Sequence, residues 1–127
     1  REMRNIQPNI PVYPDPAGQA RSTTSSKSDH TILRDFGFRI VARRSHSPHR
    51  DRLNALNRKL KNAEGMIGMT VDPKLKFLIK DLEMCQRDKN GGIDKSNPEL
   101  THFLDACSYL IDYRFPVTRR MATSINW

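Results

Sequence analysis

Two carboxylates and a histidine stand at positions where metal chemistry could be done. Asp15 lies in the run Tyr13-Pro14-Asp15-Pro16-Ala17-Gly18, just after a short apolar stretch. A carboxylate at the carboxyl end of a strand is presented into a cleft in many α/β proteins. The ordinary reading is a turn residue, because an aspartate side chain bonds the backbone two residues on. His102 and Asp105 are three residues apart, which puts them on one face of a helix. A carboxylate at the edge of an apolar helix face needs a partner, and a divalent metal is one choice. Hard oxygen ligands suit Mg²⁺ or Mn²⁺. The competing reading is a surface His–Asp pair. A third feature is Arg43-Arg44-Ser45-His46-Ser47-Pro48-His49-Arg50, continued on the same sign by Arg58 and by Lys59 and Lys61. It is either a solvated charge run or a phosphate-binding surface. His46 and His49 lack the neighbouring ligands of a zinc site.

The charge balance supports a polyanionic partner. The 127 residues hold 22 Lys and Arg against 14 Asp and Glu, a net charge of +8. Between Arg34 and Lys61 there are nine basic and two acidic residues; between Asn62 and Asp112 there are six and nine. One segment is therefore built to meet negative charge, and another carries excess carboxylates. Cys85 and Cys107 cannot make a disulfide framework or a four-ligand zinc site. There is no Gly-x-x-x-x-Gly-Lys-Ser/Thr loop and no Gly-x-Ser-x-Gly elbow. No window has the roughly 18 apolar residues a membrane helix requires, and Arg1-Glu2-Met3-Arg4 opens no secretory signal. The expectation is a protein that is neither secreted nor in a membrane.

The elements that must position these residues alternate between strand and helix. Ile10 and Val12 form a strand, broken by Pro14 and Pro16. Ser28 or Asp29 caps a helix through Phe36, stopped by Gly37, and Phe38–Ala42 is a strand. Ser47-Pro48 opens a helix to about Asn62, with Leu53, Leu56 and Leu60 on its apolar face and Arg50, Arg52 and Arg58 elsewhere. Met66–Val71 reads as a short strand. Asp72-Pro73 caps a helix with the stripe Leu75, Leu78, Ile79 and Leu82. Asn90-Gly91-Gly92 marks a turn or hairpin tip, with Lys89 and Lys95 on either side. The last helix opens at Asn97-Pro98-Glu99, buries Leu100, Phe103, Leu104, Cys107, Leu110 and Ile111, and ends at Pro116. The pattern is α/β, with few strands.

The ordered set of these motifs resembles the C-terminal nuclease domain of tailed-phage large terminases. It is carried by Val12-Tyr13-Pro14-Asp15-Pro16-Ala17-Gly18, by Asp72-Pro73 with Leu78-Ile79-Lys80-Asp81-Leu82-Glu83, by Gly92-Ile93-Asp94-Lys95, and by Leu100-Thr101-His102-Phe103-Leu104-Asp105-Ala106 with Tyr109-Leu110-Ile111. The resemblance implies an α/β, ribonuclease H-like mixed sheet flanked by helices, over residues 1–117, with 118–127 a basic tail. It implies a metal-dependent endonuclease that cuts concatemeric double-stranded viral DNA, with two Mg²⁺ or Mn²⁺ ions. Asp15 matches the family's second acid, Asp105 its third, and His102 a histidine near the metals. The matching DNA-binding residues are Arg43, Arg44, Arg50, Arg58, Lys89 and Lys95. The partners implied are viral DNA, the terminase ATPase domain, the small terminase subunit and the portal protein, in the cytoplasm of an infected bacterium. The sequence departs from the family at the first acid: residues 1–9 hold only Glu2, so the chain matches the later two-thirds of the domain, lacks the first strands, and by itself falls short of a full ligand set. A non-catalytic DNA-binding or docking module, and a resolvase-like nuclease of the same fold, are the alternatives.

Overall fold

The computed structural model describes residues 10–20, 26–97, 99 and 101–117. The chain is mixed α/β, with four helices and a two-stranded parallel sheet among the described residues. It divides into two compact units, Arg1–His46 and Ser47–Trp127. The basic tail expected at 118–127 and the opening of the last helix at Pro98 and Leu100 fall outside the described residues.

In the first unit, strand β1 (Pro11–Val12) crosses over through helix α1 (Asp29–Asp35) to strand β2 (Arg39–Ile40), which pairs with it in parallel. Pro11 has no N–H to give the ladder, so the bonds come from the other strand. Arg39 N–H donates to the Ile10 carbonyl at 3.4 Å and Val41 N–H to the Val12 carbonyl at 2.9 Å. Both ends of α1 are fixed by local chemistry. The Ser28 Oγ accepts from the Thr31 N–H at 3.2 Å, satisfying an orphan donor of the first turn. At the far end Gly37 takes φ +97°, its N–H bonds the Arg34 carbonyl, and the Phe38 N–H bonds the Leu33 carbonyl. This double bond closure needs a left-handed residue, and glycine adopts it without a Cβ penalty.

The second unit packs α2 (His49–Leu60) and α3 (Lys76–Met84) against α4 (His102–Arg114). Its buried apolar cluster is Leu53, Ala55, Leu56, Ile93, Leu104 and Ile111. Helix α2 starts one residue later than its Ser-Pro signature indicates. Pro48 sits just outside the helix, with its carbonyl accepting from the N–H groups of Asp51 and Arg52. The buried face of α2 includes Arg52 as well as the leucines, which corrects the placement of Arg52 on an outer face.

Three further expectations are revised. Met66–Val71 is not a strand. The Asn62 Oδ1 accepts from the Glu64 and Met66 N–H groups, and the Gly68 N–H reaches back to the Lys59 carbonyl. Local side-chain bonding thus takes up the backbone donors a sheet would have used. Helix α3 begins at Lys76, because the Asp72 side chain bonds the Lys74 N–H in a turn. Leu75 stays exposed, and the fully buried residue of that helix is Asp81. On α4 the buried line is Leu104, Ser108, Ile111 and Asp112. Phe103 is exposed and stacks on Phe77 instead, with ring centroids 5.4 Å apart.

Candidate functional site

In the first unit Asp15 ends the extended segment after β1 and caps the 3-10 turn Pro16–Gln19. Its Oδ1 accepts from the Ala17 N–H at 2.8 Å and lies 3.1 Å from His46 Nε2. The Asp15 side chain is half-exposed, so its carboxylate remains accessible. Its backbone is held by a buried histidine: His30 Nε2 is 2.8 Å from the Asp15 carbonyl oxygen. Gly18 makes that contact possible, since a Cβ there would stand 2.8 Å from the His30 ring. Asp15, Asp29 and His30 line a shallow cavity of about 270 Å³. The Gln19 side-chain amide donates to the Arg43 carbonyl at 2.6 Å and also reaches that of Arg44, which ties the basic stretch to the turn. Arg44 is exposed and Arg43 half-buried. His30 and Asp29 were legible only as helix-start residues; nothing in their spacing marks them as neighbours of Asp15.

In the second unit Asp105 lies in the first turn of α4, largely buried, with 21% of its side chain exposed. It is met by two cations of different character. Lys95 Nζ donates to Oδ2. Arg52 Nη1 stands 3.5 Å from Oδ1 and donates at 2.9 Å to the Ser108 Oγ, which in turn donates to the Asp105 carbonyl. The Arg52 guanidinium also lies 4.4 Å from the Tyr109 ring centroid, a cation–π contact. Arg52 is 1% exposed. Two atoms of this arrangement are buried without a hydrogen-bond partner, Arg52 Nε and Asp105 Oδ1. His102 shares the first turn of α4 and is exposed.

The amino end of α4 is capped from another helix. Asp81 Oδ2 accepts from the N–H groups of Phe103 and Leu104 at 2.9 and 3.2 Å. A buried carboxylate at a helix amino terminus satisfies orphan donors and complements the dipole. Sequence reading placed Asp81 on α3 but gave it no such role. Its position three residues after Leu78 is no guide to that role, because the donors come from 22 and 23 residues away.

Lys95 is positioned by a hairpin. Arg87 and Ile93 form an antiparallel bridge, Gly91 adopts φ +79°, and the Asp88 side chain accepts from the Asn90 and Gly92 N–H groups. Arg87 braces the tip, donating to the Gly91 carbonyl and to Asn54 of α2. Ile93 is buried in the core and fixes the chain two residues before Lys95. Lys89 lies exposed near the tip, and Arg50 is exposed on α2. Arg58 donates to the Pro116 carbonyl at 3.0 Å. It lines, with Lys59, Arg114, Met66 and Ile67, a groove of about 520 Å³ that has no carboxylate in its walls.

Two of the residues singled out by sequence, Asp105 and Lys95, are therefore brought into contact. Asp15 is placed with His46 and His30. Among the described residues no three His, Cys, Asp or Glu side chains gather as a metal cage. Asp105 is a single carboxylate set between Arg52 and Lys95, and its Oδ1, on the Arg52 side, is buried without a hydrogen bond. Among the described residues no helix is long and apolar enough to cross a membrane. Comparison with protein-family models, with curated proteins and with solved structures gives no match.

Proposed function

We propose that the chain is the nuclease domain of a viral DNA-packaging terminase, of ribonuclease H-like fold, cutting concatemeric double-stranded DNA with divalent metal ions. The reading rests on the motif resemblance. The observation it draws on is the place of Asp105, largely buried in the first turn of α4, at the position the resemblance gives to a metal ligand. Asp15, in the turn that follows β1 and half-exposed, is the second ligand of the proposal. Asp15 and Asp105 would hold the Mg²⁺ or Mn²⁺ ions, which would supply water activation and charge stabilisation for phosphodiester hydrolysis. The chain's own part is to hold these carboxylates, with His102 beside the second, and to meet the phosphate backbone. Arg43, Arg44, Arg50, Arg58, Lys89 and Lys95 supply that contact without base readout. The partners of the proposal are viral DNA, an ATPase domain, a small terminase subunit and the portal.

The test is nicking of supercoiled plasmid by the intact protein with Mn²⁺. Asp15→Asn and Asp105→Asn should each abolish it while leaving the circular dichroism spectrum unchanged. Wild-type cutting by Asp105→Asn would end the proposal.

One observation favours a second reading, a DNA-binding module without a working metal site. Arg52 and Lys95 already neutralise Asp105, so the carboxylate is stable as an ion pair. That reading expects DNA binding that weakens steeply with salt and is indifferent to Mg²⁺ and to Asp15→Ala.

A further inference from the structure

We infer that the groove between the carboxyl ends of α2 and α4 is a binding site for a nucleoside phosphate. The inference goes beyond the nuclease reading: it shares only Arg58 with that proposal and needs neither Asp15 nor Asp105.

The groove gathers positive charge. Arg58 and Lys59 lie in the last turn of α2, and Arg114 in the last turn of α4. Cations are favoured there, because a helix carboxyl end carries about half a negative charge. The walls nevertheless hold these three cations and no carboxylate, more than two helix ends offset. Among the described residues neither Arg58 nor Lys59 is paired with a carboxylate. A phosphate monoester, with a charge of about −1.5 to −2 at neutral pH, complements that surplus. Two of the cations are also held in place. Arg58 Nη2 donates to the Pro116 carbonyl at 3.0 Å, which leaves its other N–H donors for a ligand. Lys59 Nζ lies 3.8 Å from the Phe115 ring centroid, and a Cβ on Gly68 would stand 3.3 Å from the Lys59 Cδ. Cations fixed in advance lower the ordering cost of binding.

The other lining is apolar. Met66 and Ile67 line the groove while 65% and 67% exposed, beside Ala55 and Phe115. A bare phosphate leaves those side chains unmatched. The volume of about 520 Å³ falls among small-molecule sites, roughly 300–1,000 Å³. A duplex does not match either, since its base faces are stacked inside and out of reach. A nucleoside joined to a phosphate matches both halves, with the phosphate on the cations and the base over Met66 and Ile67. Asn62 supplies a polar contact to the base edge. Its Oδ1 accepts from the Glu64 and Met66 N–H groups, so its amide has only donors to give. Guanine, whose N7 and O6 both accept, is the base it suits.

The experiment is isothermal titration calorimetry of the full chain with deoxyguanosine monophosphate. EDTA is present, so the outcome does not depend on the metal reading. Saturable one-to-one binding is expected, tighter than that of deoxyguanosine or of inorganic phosphate. Lys59→Met and Arg114→Met should each weaken it about tenfold, the lower end for a hydrogen bond between charged groups because the site is open to solvent. Ile67→Ser should weaken the nucleotide about threefold and leave inorganic phosphate unchanged. Lys80→Met makes the same change in net charge on an exposed position of α3 and should bind as wild type. Circular dichroism verifies the fold of each variant. A single-stranded oligonucleotide with and without a 5′-phosphate separates the two sources of this chemistry. Phosphate-dependent binding as tight as the monophosphate identifies a strand end, and weaker binding identifies the free nucleotide. No saturable binding of the monophosphate overturns the inference. So does wild-type affinity in Lys59→Met and Arg114→Met, or in Ile67→Ser, or a loss in Lys80→Met equal to theirs. An acidic peptide of Glu and Leu that binds where the monophosphate does not overturns it in favour of a protein partner.

Discussion

Replacing Arg52 with Met keeps most of the side-chain volume and removes the charge from the interface of α2 and α4. Arg52 makes a charge-assisted hydrogen bond to Ser108, lies over the Tyr109 ring and stands 3.5 Å from Asp105 Oδ1. Removing one partner of a buried pair costs about 3–5 kcal/mol when the other charge is left uncompensated. Here Lys95 still holds Oδ2, and 21% of the Asp105 side chain meets solvent, so the lower end applies. The methionine also buries more apolar surface where the unbonded Nε now sits. The expected loss is about 2–3 kcal/mol, from a hydrogen bond to a charged group of about 1.5–3 kcal/mol with the cation–π contact added and the apolar gain subtracted. For a chain of this size that lowers Tm by roughly 10 °C. Urea unfolding followed by circular dichroism measures it. Asp105→Asn alone leaves Arg52 without its counter-charge, and the double variant closes a cycle with a coupling of about 1–2 kcal/mol. A loss under about 1 kcal/mol for Arg52→Met, or strict additivity in the cycle, would refute the view that Arg52 holds Asp105 in place.

Three other outcomes are expected. Asp81→Ala strips the cap from the amino end of α4 and should cost about 1–2 kcal/mol, with Asp81→Asn recovering part of it in the same urea titration. Gly18→Ala drives a methyl to within 2.8 Å of the His30 ring and should destabilise the fold by about 1–3 kcal/mol. It should also shift the His30 ring resonances in NMR spectra, and an unshifted spectrum would contradict the contact. Burial raises the pKa of the Cys107 thiol, and burial with the Asp81 carboxylate beside it raises that of Cys85. The stability this gives is whole at neutral pH, below the unfolded thiol value, and is lost as pH climbs through the raised values. Both cysteines should therefore react with iodoacetamide more slowly in the folded chain than in urea at pH 8.

Local chemistry explains what could be read from the sequence. Ser28 and Gly37 bracket α1 because their side chain and lack of one act on the next few residues. Asn90-Gly91-Gly92 is a tip for the same reason, its left-handed residue being Gly91. Asp105 was marked by its place at the edge of an apolar face, and that place does demand a partner. The sequence could not say that the partners present are Arg52 and Lys95. Arg52 is buried against a helix 56 residues away, and an arginine beside leucines reads as a solvated neighbour. Asp81 was hidden likewise, since its ligands are amides, which every residue has. Met66–Val71 looked like a strand from composition alone, but Asn62 and Gly68 close it into a loop and leave Met66 and Ile67 65% and 67% exposed. Phe103 followed the helical period but stacks on Phe77 outside the core, because Leu104 and Ser108 meet α2 instead.

The central proposal is that the carboxylates of Asp15 and Asp105 are both required for metal-dependent DNA cleavage. The most direct measurement is the Mn²⁺-dependent plasmid cleavage rate of Asp15→Asn, Asp105→Asn and the double variant, at saturating DNA. Groups that work as a unit lose nothing further once one is gone. The account predicts that the double variant is no slower than the worse single one. Singles whose losses multiply, or a single variant that cuts at the wild-type rate, would contradict it.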